Sequence, residues 1–122
     1  MARERASRSI NLDGADEDLI VGNTYFVFSL ERWSDSGLRV YLHTVEGSSF
    51  PYPYPIEMFD VVDPTFPSAW GVGLEEVESG LIIKRISFEQ WAKDDFFYEK
   101  LIDDEPLETR IYKDICEIYS QN

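Results

Sequence analysis

The sequence predicts an α+β fold: about five short antiparallel strands forming a bent sheet or SH3-like barrel, followed by one or two C-terminal helices. Three observations carry this. Five runs in the first two-thirds of the chain are rich in β-branched and aromatic residues and are separated by Gly, Pro, Ser and Asp turn signals. Beyond residue 86 the pattern changes to helix-start signals and apolar residues at helical spacing. The length, 122 residues, suits one domain with its own core. Residues 1–18 read as a mobile N-terminal tail and 19–122 as a single globular domain, with a β-rich barrel over 19–86 and a helical cap over 87–122.

The first strand is Thr24 to Glu31 (TYFVFSLE), whose apolar residues fall on both faces, as in a largely buried strand. Trp33 and the turn Ser34-Asp35-Ser36-Gly37 follow. Leu38 to Glu46 (LRVYLHTVE) returns as a hairpin partner. Leu38, Val40, Leu42 and Thr44 lie on one face, and Arg39, Tyr41, His43 and Val45 on the other. Phe50-Pro51-Tyr52-Pro53-Tyr54-Pro55 cannot be a central strand, because three alternate residues lack an N–H. It is expected to be polyproline-like or an edge segment. Ile56 to Asp63 reads as a third strand, ended by Pro64 and Pro67. In Ala69 to Glu78 the glycines Gly71 and Gly73 suggest close packing or a bulge, and Trp70 with Ala69 and Val72 reads as barrel core. Ser79-Gly80 is a tight turn, and Leu81 to Ile86 completes a second hairpin.

Ser87-Phe88-Glu89-Gln90 fits a capping box opening a short helix to about Lys93. Phe96, Phe97 and Tyr98 are expected to anchor the chain between two helices. The last helix starts at Pro106, behind Asp103, Asp104 and Glu105 at its positive end. Leu107, Ile111, Ile115 and Ile118 form its apolar stripe.

Charge limits the function. There are 24 Asp and Glu against 11 Lys and Arg, a formal net of −13. Arg3, Arg5 and Arg8 against Glu4 make residues 1–12 net +2, so the rest carries −15. Such a domain repels nucleic acid and anionic membrane and attracts basic proteins. The aromatic content of 15% is too high for a disordered acidic tail. One cysteine allows no internal disulfide and no multi-cysteine zinc site, and it points to a reducing compartment, the cytoplasm. No apolar run has the length of a membrane span, and no signal peptide is visible.

No catalytic motif stands out, and the chain is expected to be non-catalytic, with no metal and no cofactor. His43 has no recognisable nucleophile or orienting acid beside it and reads as a surface or half-buried strand residue. Cys116 lies between helix residues near Asp114 and Glu117, which oppose a thiolate, so it reads as a small hydrophobe. Asp94-Asp95 and Asp103-Asp104-Glu105 lack the alternating ligands of a calcium loop. Gly71 and Gly73 are too close together for a phosphate loop. The residues expected to meet a partner are Trp33, Asp35, Tyr41, Tyr52, Tyr54, Glu57, Asp60 and Asp63, aromatic anchors among carboxylates.

Size, acidity, richness in Tyr and Trp and the lack of catalytic residues make the chain resemble the small acidic immunity or antitoxin proteins that bacteria make against their own toxins. The blocks Ile20-Val21-Gly22-Asn23-Thr24-Tyr25, Phe59-Asp60-Val61-Val62-Asp63 and Pro67-Ser68-Ala69-Trp70 are similar to a pattern in small bacterial SH3-like proteins, over roughly residues 20–78. The resemblance implies a stoichiometric inhibitor that occludes the active site of a basic toxin or nuclease. The two competing expectations are an SH3-like protein-interaction module and a small carboxylate-based enzyme. Oligomeric state is not readable from the sequence.

Overall fold

The computed structural model describes residues 2–4 (backbone only), 23–34, 37–45, 47–63 and 65–119. In chain order the elements are β1 (Ala2–Glu4), β2 (Thr24–Tyr25), β3 (Val27–Trp33), β4 (Gly37–Leu42), β5 (Tyr52–Pro55), a 3-10 turn (Ile56–Met58), β6 (Phe59–Val61), β7 (Gly71–Val77), β8 (Gly80–Ser87), α1 (Glu89–Ala92), α2 (Phe97–Ile102) and α3 (Pro106–Tyr119). The class is α+β, as the sequence predicts. One antiparallel sheet has the order β5-β4-β3-β8-β7, and a smaller one the order β2-β1-β6. Three residues of the expected N-terminal tail therefore form a strand, β1. Residue 1 and residues 5–18 lie outside the described residues.

The five-stranded sheet is open and not a closed barrel. Two physical reasons are visible. A barrel has one interior, but β3 buries both of its faces: Val27 joins one core with Val40, Leu42, Tyr54, Met58 and Phe59, while Phe28 joins another with Tyr41, Phe88, Trp91, Phe97, Leu101 and Tyr112. The sheet thus needs a layer on each side. The small sheet and 3-10 turn contribute to the first core, and the helices to the second. The second reason is β5, whose alternate residues Pro53 and Pro55 lack donors, so it pairs with β4 and ends the sheet as an edge strand.

Several local expectations are corrected. The run from Thr24 breaks at Phe26, whose ring turns to meet Phe28 at 4.9 Å and Tyr119 at 5.4 Å. Ile56–Met58 is a 3-10 turn, and only Phe59–Val61 of the expected third strand is extended. Ser87 does not cap α1. It is the buried last residue of β8, and its hydroxyl donates to the Phe28 carbonyl at 2.7 Å, leaving no side-chain cap on the helix. A helix, α2, occupies the stretch expected to link two helices, so the described residues hold three. Asp94 sets it up: its carboxylate accepts from the Phe96 amide at 2.9 Å and its carbonyl from the Phe97 amide at 3.1 Å. In α3 the buried face is rotated from the expected stripe. Leu107 and Ile118 are exposed, Ile111 and Ile115 half-buried, and Tyr112 with Glu108 is buried.

The glycines of β7 act as expected. The register shifts between Gly73 and Leu74, a bulge against β8. A Cβ on Gly73 would stand 2.3 Å from the Ala92 carbonyl oxygen, so α1 docks on bare backbone there. Trp70, by contrast, is only half-buried, set edge-on to Phe26 at 5.8 Å and Tyr119 at 6.4 Å, while Ala69 and Val72 are exposed.

Candidate functional site

The eight expected contact residues are scattered by the fold. Tyr54 is fully buried, its hydroxyl 2.6 Å from Thr44 Oγ1. Tyr41 is also buried and donates to Glu31 Oε1 at 2.9 Å. Both are core residues. Alternation along β4 and β5 puts every second side chain inward, and two covered faces leave no outward side for them. Trp33 is half-buried at the end of β3. Its Nε1 donates to Glu31 Oε1 at 3.0 Å, and the Arg39 guanidinium lies 4.7 Å from its ring. Tyr52 is half-buried and stacks on Phe50 at 5.3 Å. Glu57, Asp60 and Asp63 are exposed, and Asp60 sits opposite Arg3 in the β1–β6 ladder. Two bonds from Thr65, hydroxyl and then amide, hold the Asp63 carboxyl below its usual range. Asp35 lies outside the described residues.

Under the helices sits a polar network that spacing could not disclose. Glu31 Oε2 accepts from Arg85 Nε at 2.9 Å and Nη2 at 2.7 Å, a two-pronged pair on a guanidinium that is 2% exposed. Arg85 also reaches the carbonyl of Trp91 at 3.2 Å and Asp95 Oδ1 at 3.3 Å. Lys84 and Arg85 hold the Asp95 carboxyl below its usual range. Every arm of Arg85 is engaged with the protein, so the network fastens β8 and β3 to α1.

A cleft of about 540 Å³ opens between the β4–β5 connection and α3. His43, Ser48, Ser49, Thr109, Tyr112, Lys113 and Cys116 line it. His43 Nδ1 is 2.8 Å from the Tyr112 hydroxyl, and the rings stack at 5.9 Å. Burial pushes the His43 pKa down, the Cys116 thiol up and the Tyr112 hydroxyl far above its usual range, where the adjoining Cys116 adds to the effect. The trio is therefore neutral near pH 7. Such groups can donate and accept hydrogen bonds, but the thiol is not poised as a nucleophile. Among the described residues no three His, Cys, Asp or Glu side chains converge as metal ligands would.

The surface that the sequence reading missed is the β7–β8 hairpin. Val72 and Leu74 alternate on one face of β7. Leu74 pairs with Ile83, and Glu76 with Leu81, so Leu81 and Ile83 share that face. All four are exposed: Val72 38%, Leu74 55%, Leu81 66% and Ile83 53%. Glu76 and Glu78, also exposed, border them, and Glu75 is half-buried in a pair with Arg32 at 3.1 Å. The opposite face of β7 is taken by α1 at Gly71 and Gly73. The signal was present in the sequence as Val72-x-Leu74 beside Leu81-x-Ile83, but alternation does not say which face is covered.

Compared with known protein families, with curated proteins and with solved structures, the chain matches none. Among the described residues no helix is long and apolar enough to cross a membrane.

Proposed function

We propose that this chain is a non-catalytic acidic binding protein of the immunity type, which neutralises a basic toxin or nuclease by covering its active site. The observation that carries the reading is the exposed apolar face of the β7–β8 hairpin, bordered by Glu76 and Glu78, in a chain of net charge −13. Apolar side chains provide an interface with a centre that sheds water, and the carboxylates around it match a surface built to hold phosphate. The same charge steers a basic partner into encounter, so salt acts on the association rate. A peptide-binding SH3-like module would make contact through Trp33, Tyr41, Tyr52 and Tyr54, of which Tyr41 and Tyr54 are buried and Trp33 and Tyr52 half-buried.

The test is capture at low salt from the native host with the tagged protein and with its Leu74→Lys/Leu81→Lys variant, followed by kinetics on the purified partner. The expected result is one basic partner in equal amount, lost by the variant, with association slowing as salt rises. A partner that is neutral, or one held equally by the variant, would overturn the reading.

A further inference from the structure

The five-stranded sheet has two edges, and they are built differently. At β5, Pro53 and Pro55 remove backbone donors, a common device against edge pairing. At β7 (GVGLEEV) there is neither proline nor lysine, and among the described residues no strand pairs along the outer edge. A bare edge offers N–H and C=O groups at ladder spacing, ready for another strand. The apolar face of Val72 and Leu74 lies directly beside that edge, with Leu81 and Ile83 behind it.

We infer that β7 is a strand-addition site: an extended segment of the basic partner docks along it as a sixth, antiparallel strand. This rests on the proposed function for the partner's basic character and adds the mode of contact. Antiparallel pairing suits a sheet that is antiparallel throughout and is the more stable arrangement per residue. Side chains are read on one face only. Gly71 and Gly73 present no side chain on the other face, where α1 packs, and the Glu75 carboxylate is taken by Arg32. An antiparallel segment meets Glu76 first, then Leu74, then Val72. Its expected pattern is Lys or Arg, any residue, apolar, any residue, apolar. A second copy of this chain fits poorly. Pairing β7 with itself about Leu74 would set Val72 against Glu76 at both ends, between two chains that each carry −13.

The probe is a short synthetic peptide, Ser-Lys-Thr-Val-Thr-Val-Thr-Ser, labelled and titrated into the full chain by fluorescence anisotropy. Two further forms carry backbone N-methyl groups at alternate residues, in the two opposite phases. One phase blocks the peptide edge facing β7 and should abolish binding. The other blocks the outer edge and should leave binding intact. Amide exchange should slow within Gly71–Val77. Replacing the peptide lysine by glutamate, or Leu74 by lysine in the protein, should weaken binding about tenfold or more. Leu81→Lys, on the inner strand, serves as a second variant, with the far-ultraviolet spectrum checking that both fold.

No binding of the unmodified peptide, equal binding of both N-methylated phases, or protection confined to other segments would overturn strand addition. A dimer in sedimentation that Leu74→Lys dissociates would also overturn it, making a second copy the occupant. A basic partner captured by the chain while the peptide fails would sink strand addition and leave the proposed function standing. Capture of no basic partner would sink the proposed function itself.

Discussion

Glu31 is the residue on which most of the interior polar chemistry converges. It accepts from Trp33, Tyr41 and both prongs of Arg85, so three elements meet on one carboxylate. Neutralising it in place removes the two-pronged partner of the buried Arg85 charge and leaves it, among carboxylates, only the longer contact with Asp95 at 3.3 Å. Glu31→Gln is expected to cost about 3 kcal/mol in urea unfolding. The double variant Glu31→Gln/Arg85→Met should lose less than the two single changes added together. His43 makes a pH-dependent contribution. Burial lowers its pKa in the folded state below the ordinary 6.5, so the unfolded chain takes up a proton first as the pH falls. This part of the stability is complete above pH 6.5 and declines below it. His43→Gln should flatten the stability profile between that value and the acid range where carboxylates begin to titrate, as read by urea midpoints across pH. The pairing of His43 with Tyr112 was not legible in the sequence, because 69 positions separate them.

At the scale of elements, the hairpin turns and the proline-marked segments followed the local chemistry, while which residues are covered did not. The β3–β4 and β7–β8 hairpins, the edge character of the Tyr-Pro segment and the start of α3 at Pro106 all stand where turn residues and proline put them. These are short-range effects of backbone geometry, which local sequence contains. The cap of α1 failed because Ser87 had a stronger tertiary use, the buried Phe28 carbonyl. The face of α3 was misread because Tyr112, wedged by Phe28 at 5.1 Å and by His43, buries more area than Leu107 could. The meeting of α1 with β7 depends on one missing side chain. Gly73→Ala would force the Ala92 carbonyl away and is expected to cost about 2–3 kcal/mol, seen as a lowered urea midpoint with the helix signal of α3 retained.

For the molecule as a whole, charge and layering matter most. A net charge of −13 repels itself, and the repulsion grows as the chain becomes compact. Added salt shortens the screening length from about 30 Å at 0.01 M to about 8 Å at 0.15 M. The isolated protein should therefore gain thermal stability over that range, while the proposed association with a basic partner should slow. A scanning-calorimetry series at fixed pH checks the first trend, and a melting temperature that falls with salt would contradict it. The layered build also sets the candidate surface. The sheet has a helical layer on one face and the small sheet on part of the other, and among the described residues nothing covers the β7–β8 end of that second face.

By itself the sequence determined the α+β class, the acidic character, the hairpins and the proline-blunted edge, because each depends on composition or on residues a few positions apart. Only the tertiary structure decided that the sheet stays open, that Tyr41 and Tyr54 point inward and that Val72, Leu74, Leu81 and Ile83 point out. Alternation along a strand defines two faces, but which face is covered depends on elements far away in the chain. Here the helices following residue 88 supply one cover, and β2, the 3-10 turn and β6 contribute the other.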